Sequence, residues 1–410
     1  MMPSMLPLDD IFVVDLTRIL SGPLCTMMMA DMGAAVVKVE PPPHGDDTRQ
    51  WGPPFVNGIA TYFLSANRNK KSLGLDLKSL EGRDVLWKLI DRADVLVENF
   101  RPGVLSKLGF GYDAVSHRNP RIVYCSISGF GQTGPYRERA GYDVVAQGES
   151  GLMDLTGYPD QPPAKVGSSL ADIVAGMYAF HGILLALLVR HRTGKGQAID
   201  IGLVDSMVST LTYQAMIYFA TGRSPTRMGS RHPSIVPYEC FEASDGFINV
   251  GVANDKHFAI LCRTLGFPEL AQDTRFATGP ARLTNYDALR PVVAAAIARL
   301  TRAEATKLLG DSGIAVGPVN TVSEALEDPH LHAREMVAEL THPEYGPLRY
   351  LGNPIKLSDT PGRLANAPPS FGEHNGEVLA DLGFSSRDIA DYERREVVVK
   401  AAPVAATPSR

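Results

Sequence analysis

The sequence predicts an α/β fold in which a Rossmann-like parallel sheet forms the large domain. Over the first 130 residues, short runs rich in β-branched residues alternate with helix-like segments. Gly22-Pro23 ends the first such run, and Gly33 ends the helix-like segment that follows it. The chain has 410 residues, of which 44% are apolar and 21% charged, so it can form more than one domain with a buried core.

The predicted elements follow a strand–helix order. A buried strand over 11–17 is followed by a Met-rich helix ending at Met32 and a second strand over 35–40, which makes a βαβ unit. The same order continues with an amphipathic helix and two further strands, over 81–93, 94–100 and 121–128.

Composition changes suggest where the domains begin and end. The boundary is the Gly-, Pro- and Arg-rich stretch 221–238. The expected segments are the N-terminal part of the large domain (1–200), a linker helix (201–225), a smaller inserted α+β domain (226–330), a C-terminal part that returns to the large domain (331–398) and a disordered Ala/Pro-rich tail (399–410).

Charge and cysteine usage exclude several classes of protein. The net charge of −5 provides no basic field for nucleic acid. The four cysteines form no CxxC pair, so neither a metal site nor a disulfide framework is expected. The first ten residues do not resemble a secretory signal, and the apolar run 173–189 is short for a membrane span and contains His181. We expect a cytoplasmic protein without membrane or nucleic-acid partners.

The predicted ligand edge of the sheet lacks a dinucleotide fingerprint but carries cations. The first strand–helix turn reads TRILSGP, with no GxGxxG. Two basic segments are expected in strand-end loops, where they either bind an anionic ligand or are merely solvated. Their cations are Arg68, Lys70, Lys71, Lys78, Arg101 and Lys107.

One acidic residue, Asp172, occupies a conspicuous position. A Ser/Gly-rich loop leads into the long apolar helix, with Ser168 or Ser169 as its cap and Asp172 in its first turn. The helix dipole stabilises such a carboxylate by about 0.3–1 kcal/mol. From the residues alone, this aspartate is either a functional group or an ordinary acidic residue at a helix N-terminus.

Ten motifs in order give the chain a family resemblance. It resembles the class III coenzyme A transferases, the CaiB/BaiF family typified by formyl-CoA transferase, from about residue 8 to 390. The motifs are DLTRILSGPLCT, DMGAAVVKVEPP, GDDTRQWGPPF, NRNKKSLGLDLK, VENFRPGVLSKLG, SISGFGQTGPY, RAGYDVVAQGESGLM, LADIVAGMYA, RTGKGQAIDI and PSFGEHNGEVLADLG.

The resemblance implies an activity and a set of site residues. It implies an interlocked homodimer that moves coenzyme A from an acyl-CoA donor to a free acid, with no permanently bound cofactor. It implies Asp172 as the nucleophile, which forms first a mixed anhydride and then an aspartyl-CoA thioester. The implied coenzyme A contacts are Leu20, Ser21, Leu75, Asp76, Leu77, Lys78, Asn99, Phe100, Arg101, Lys107, Arg139 and Tyr142.

The substrate acids are less well defined by the sequence. The formyl-CoA transferase pattern has a glycine run where this chain reads SRHPSIVPYECF. The difference disfavours formyl-CoA and oxalate and favours dicarboxylates, with succinyl-CoA as a donor. A second carboxylate requires a cation, for which Arg49, Arg68 and His232 are the candidates.

Two other functions are compatible with the same resemblance. An α-methylacyl-CoA racemase of this fold uses a His in a GHD motif as a base, and here the motif reads Gly141-Tyr142-Asp143. A neutral tyrosine is a poor base near pH 7. A non-catalytic coenzyme A-binding protein is the second alternative, and the presence of Asp172 disfavours it.

Overall fold

A computed structural model describes residues 5–56, 58–342 and 344–401. Within them the chain divides into two compact units. The first contains the residues up to Leu152, Val166–Thr212 and the part from Pro329 onward, so both chain ends contribute to it. The second contains Met153–Lys165 and Tyr213–Asp328. The predicted tail lies mostly outside the described residues, from 402 to 410.

The strands form one large sheet and three small ones. The large sheet has six strands in the order β5-β2-β1-β6-β7-β8, and all of its pairings are parallel. The strands in chain order are β1 (Phe12–Asp15), β2 (Ala35–Glu40), β3 (Phe55–Val56), β4 (Ile59–Ala60), β5 (Lys70–Gly74), β6 (Val95–Glu98), β7 (Val123–Ser128), β8 (Ala198–Gly202), β9 (Tyr238–Ala243), β10 (Gly246–Gly251), β11 (Ala315–Pro318), β12 (Val337–His342) and β13 (Gly346–Leu351).

The described helices range from single turns to one long element. They are α1 (Ser21–Asp31), α2 (Thr61–Leu64), α3 (Leu80–Arg92), α4 (Val104–Lys107), α5 (Tyr112–Arg118), α6 (Asp143–Glu149), α7 (Leu152–Leu155), α8 (Leu170–Thr193), α9 (Leu203–Ser209), α10 (Thr212–Thr221), α11 (Asp255–Thr264), α12 (Gly279–Thr284), α13 (Tyr286–Ile297), α14 (Arg302–Asp311), α15 (Val322–Leu326), α16 (Pro329–Ala333), α17 (Asn375–Asp381) and α18 (Ser386–Arg394).

Apolar helices cover both faces of the large sheet. Successive side chains of β1 alternate between the faces, with Val13 in one hydrophobic cluster and Val14 in the other. Helices α1 and α8 pack on the first face, and α3 and α17 on the second. A parallel sheet buried on both faces explains the continuous apolar runs in the sequence and gives the predicted α/β class.

Helix α8 is apolar on more than one side. It begins after Ser169, and Gly194, with φ of 74°, ends it. Within the described part of the chain it is the one helix long and apolar enough to cross a membrane, a property that core helices of soluble proteins share. Its face toward the sheet is buried, whereas Leu185 and Leu188 are 64% and 57% exposed.

Two local expectations differ from the structure. Lys70 and Lys71 begin β5 and are not in a loop, because all residues of this strand except Lys71 are buried. The stretch 201–225, expected to be one linker helix, contains α9 and α10. The helical conformation is interrupted between them because Thr212 has a φ of 41°, outside the right-handed helical region.

Candidate active site

Two buried charged side chains, Lys38 and Asp46, hydrogen-bond to the backbone of the turn between β1 and α1. Ile19 has φ of 70°, and its backbone N–H donates to both carboxylate oxygens of Asp46, at 3.3 and 3.2 Å. Lys38 pairs with Asp46 at 2.9 Å and donates to the Thr17 carbonyl at 2.7 Å. These bonds fix the backbone that leads into Ser21, the first residue of α1.

Asp172 lies in the first turn of α8, where Ser21 reaches it. Burial, together with the negative charge of Asp143, raises the pKa of the Asp172 carboxyl to about 6, although the hydrogen bond with Ser21 partly opposes the shift. Ser169, one of the two expected candidates, is the N-cap residue of α8, but its side chain makes no capping hydrogen bond. A half-desolvated carboxylate that is ionised near pH 7 is suited to nucleophilic attack.

Asp143 is the buried partner that orients this helix end. Its carboxylate accepts the Ala171 backbone N–H at 2.9 Å and both of its oxygens accept from the Gln147 amide, at 3.0 and 2.9 Å. Gln147 in turn accepts the Val166 N–H through Oε1. The α6 side chains therefore cap α8 in place of Ser169 and fix the position of Asp172.

A cavity of about 170 Å³ contains Asp172. Seven of the residues predicted to contact coenzyme A or to act as the nucleophile lie there, at the carboxyl ends of β1, β6 and β7, where open α/β sheets bind ligands. Its lining is Ile19, Ser21, Asn99, Phe100, Arg101, Pro102, Ile127, Ser128, Gly129, Arg139, Ala140, Gly141, Tyr142, Asp172 and Leu203.

A second cavity of about 790 Å³ shares Phe100 with the first. The predicted contacts Leu75 to Lys78 line it, together with Arg18, which lies over the Phe100 ring at 5.4 Å. The two cavities thus adjoin at one aromatic residue, which suits a long ligand with a reactive end near Asp172.

Comparison with known proteins decides the family. The model described as CoA-transferase family III matches residues 8–375. The chain belongs to CoA-transferase family III. The resemblance seen in the sequence is thereby confirmed, and the chain is an enzyme of this class that uses coenzyme A thioesters.

Relatives of this family III chain cover nearly its whole length. The succinyl-CoA:glutarate CoA-transferase of Mus musculus is 41% identical over 92% of this chain and 87% of that protein. The acetyl-CoA:oxalate CoA-transferase of Acetobacter aceti is 42% identical over 88% of this chain and 92% of that protein. A CAIB/BAIF family protein from Brucella suis has the same fold, with a TM-score of 0.83 at 44% identity over 92% and 99% of the two chains.

Two of the coenzyme A contacts predicted from the family III resemblance line neither cavity, and a third has other partners. Leu20 precedes α1 and Lys107 is exposed at the end of α4, and neither lines the two cavities. Arg139 lines the Asp172 cavity but also pairs with Glu149, and its guanidinium stacks on Phe130 at 4.6 Å.

The three candidate cations for a second carboxylate are engaged by other groups. Arg49 binds Glu40 through two nitrogens at 2.7 and 2.8 Å, and Arg68 binds both oxygens of Asp31. Neither guanidinium lines the Asp172 cavity. His232 belongs to the second unit, where its Nδ1 accepts the backbone N–H groups of Ser234 and Ile235 at 3.0 and 3.1 Å.

The sequence identified Asp143 only as part of the Gly141-Tyr142-Asp143 motif and did not indicate Ser128. Ser128 is the last residue of β7 and Asp143 the first of α6. The rule that strand ends carry ligand residues could have indicated Ser128, whereas the capping role of Asp143 depends on a contact 28 residues away. Among the described residues, no cluster of three or more His, Cys, Asp or Glu side chains is arranged to hold a metal ion.

Proposed function

We propose that this enzyme transfers coenzyme A from succinyl-CoA to a dicarboxylate, with Asp172 as the covalent nucleophile. The observation that carries the proposal is the position of Asp172 in a strand-end cavity, with a carboxyl whose pKa of about 6 leaves it mostly ionised at neutral pH. The mouse relative is a succinyl-CoA:glutarate CoA-transferase, which supports the donor and the class of acceptor.

The first half of the reaction produces a mixed anhydride. A carboxylate oxygen of Asp172 bonds to the thioester carbonyl carbon, and collapse of the tetrahedral intermediate breaks the C–S bond and releases coenzyme A thiolate. The thiolate then attacks the aspartyl carbonyl, which releases the donor acid and leaves an aspartyl-CoA thioester.

The second half reverses these steps with the acceptor acid. The acceptor carboxylate attacks the aspartyl thioester, and thiolate departs. The thiolate then attacks the acceptor carbonyl of the new anhydride, which forms the acceptor thioester and releases the Asp172 carboxylate. One thioester replaces another, so no external energy source is required. A carboxylate nucleophile suits this chemistry because its acyl derivative remains activated at every stage.

Surface composition supports a homodimer in the cytoplasm. The exposed apolar side chains of α8, among them Leu185 and Leu188, would be covered by a second copy of the chain. The free thiols Cys25, Cys125 and Cys262 are buried within this chain, in agreement with a reducing compartment.

The choice of acceptor is tested with a panel of free acids. Succinyl-CoA is incubated with glutarate, oxalate, mesaconate, formate and a monocarboxylate of matched length, and mass spectrometry follows each new thioester. We expect glutaryl-CoA to form fastest and monocarboxylates at least about tenfold more slowly, since the mouse relative is a succinyl-CoA:glutarate CoA-transferase. Equal rates with the monocarboxylate would contradict the dicarboxylate proposal, and transfer to oxalate alone would contradict the choice of glutarate.

The pH profile should report ionisation of Asp172. Because only the carboxylate attacks, kcat/KM should halve near pH 6 and fall about tenfold for each unit below it. The Asp143→Asn variant removes the neighbouring negative charge, so its acid limb should shift to lower pH while Ala171 keeps a hydrogen-bond acceptor. A profile that is flat down to pH 5 would contradict the assignment.

A further inference from the structure

Ser128 presents a hydroxyl with no visible partner in the cavity that contains Asp172. The residue lines this cavity and is only 7% exposed, and its Oγ makes no hydrogen bond to the described part of the chain. Buried hydroxyls are nearly always hydrogen-bonded, so an unpaired one in the cavity of a reactive carboxylate indicates that a ligand atom is its partner.

The backbone around Ser128 is constrained on several sides. Ser128 is the last residue of β7, where it pairs with Gly202 of the neighbouring strand β8. The next residue, Gly129, approaches Gly141 so closely that a Cβ on Gly129 would lie 2.6 Å from the Gly141 Cα. The Gly129 carbonyl accepts the Val204 N–H at 3.1 Å. A donor on such a constrained strand end is preorganised, which is the condition for stabilising charge that develops during reaction.

We propose that the Ser128 hydroxyl is a catalytic hydrogen-bond donor to the oxyanion formed when Asp172 attacks the acyl thioester. As the Asp172 oxygen bonds to the carbonyl carbon, the π electron pair moves to the carbonyl oxygen. That oxygen then accepts the hydrogen bond from Ser128 Oγ. The serine transfers no proton, and the bond weakens again when the C–S bond breaks and the carbonyl re-forms.

This inference rests on the proposed function and assigns a role within it. The two requirements are different: Asp172 supplies the covalent bond, and Ser128 lowers the barrier to making it. Loss of Ser128 should therefore slow formation of the covalent intermediates without removing the residue that carries them.

The neighbouring Ser126 offers a matched control on the same strand. Both serines are buried at 7% exposure two residues apart on β7. The Ser126 hydroxyl is engaged with Glu98, and Ser126 does not line the Asp172 cavity. Ser126→Ala therefore removes one buried hydroxyl from the same strand but leaves the proposed donor in place.

The experiment measures steady-state exchange and the single-turnover rate of covalent labelling in the full-length enzyme. In Ser128→Ala, kcat and the labelling rate should fall by about 10²-fold, with KM for succinyl-CoA changed less than about threefold. Coenzyme A binding by calorimetry should be unchanged. Ser128→Thr, which keeps a hydroxyl, should recover at least about tenfold of that loss, and Ser126→Ala should stay within about threefold of wild type.

The possible outcomes separate this inference from the proposed function. If Ser128→Ala keeps wild-type kcat, or raises only KM for the acceptor acid, the oxyanion role is wrong. Equal loss in Ser126→Ala and Ser128→Ala would also overturn it, because the effect would then be structural. Absence of any labelling or exchange in the wild-type enzyme would refute the proposed function itself.

Discussion

Replacing Asp172 by alanine should reduce coenzyme A exchange by about 10⁴-fold or more while the protein remains folded. The side chain supplies the only covalent attachment point in the proposed reaction, and loss of a nucleophile has effects of this size in other enzymes. Mass spectrometry after incubation with succinyl-CoA should show the coenzyme A adduct on wild-type Asp172 and none on the variant. Hydroxylamine should release the adduct.

An isosteric variant separates chemistry from folding. The pKa of Asp172 is raised from 3.8 to about 6 in the folded state, so the folded protein binds this proton more tightly than the unfolded chain. The ionised group therefore destabilises the fold above about pH 6, and this cost disappears below about pH 3.8. Asp172→Asn should raise the unfolding free energy at pH 7 by about 1–2 kcal/mol, after allowance for partial solvent exposure.

Chemical denaturation at pH 7 and at pH 4.5 checks this linkage. The difference between Asp172→Asn and wild type should be larger at pH 7 than at pH 4.5. A variant that is inactive but no more stable at pH 7 would contradict the desolvation of Asp172, whereas a variant that exchanges coenzyme A normally would contradict its role as nucleophile.

Much of the large sheet follows directly from local patterns. Val13 and Val14 alternate between two buried faces, and a continuous apolar run flanked by Gly and Pro indicates such a strand. Strand β5 was harder to recognise because Lys70 and Lys71 open it. A lysine in a sequence normally indicates a solvent-exposed position. Lys70 can be buried because its ammonium group pairs with the Asp15 carboxylate.

The same limit applies to the site. Motif order was sufficient to propose Asp172, and the strand-end rule brings Ser21, Asn99 and Arg101 to one cavity. By contrast, the carboxylates that engage Arg49 and Arg68 are nine and 37 residues away in sequence. A single sequence shows which residues are cations but not which of them have already been neutralised by a buried partner.

Two adjacent lysines on β5 allow a direct test of the buried charges. Lys70 pairs with Asp15 at 3.0 Å with both side chains fully buried, and it also donates to the Pro23 carbonyl and to Asn67 Oδ1. Lys71 pairs with Glu377 at 2.8 Å, but these side chains are 41% and 52% exposed. The pairs have nearly equal distances and differ in burial.

Lys70→Met should lower the unfolding free energy by about 3–5 kcal/mol, because it leaves the Asp15 carboxylate buried without its nearest cation. Burial raises the pKa of Asp15, but Lys70 and Lys38 outweigh it and hold the value at about 2, so Asp15 is charged at neutral pH. Lys71→Met should change the unfolding free energy by less than about 1 kcal/mol. Urea denaturation of both variants at pH 7 gives the comparison.

The double variant Lys70→Met/Asp15→Asn shows whether the stability lost in Lys70→Met comes from the unpaired Asp15 charge or from lost packing. If the charge dominates, removing both members should recover about half or more of the stability lost in Lys70→Met, since no uncompensated carboxylate remains. The recovery should be partial, because Asp15 also accepts the Thr17 N–H and the Thr26 hydroxyl, at 2.9 and 2.6 Å. Equal losses in the Lys70 and Lys71 single variants would show that burial of the Lys70 charge contributes little to stability.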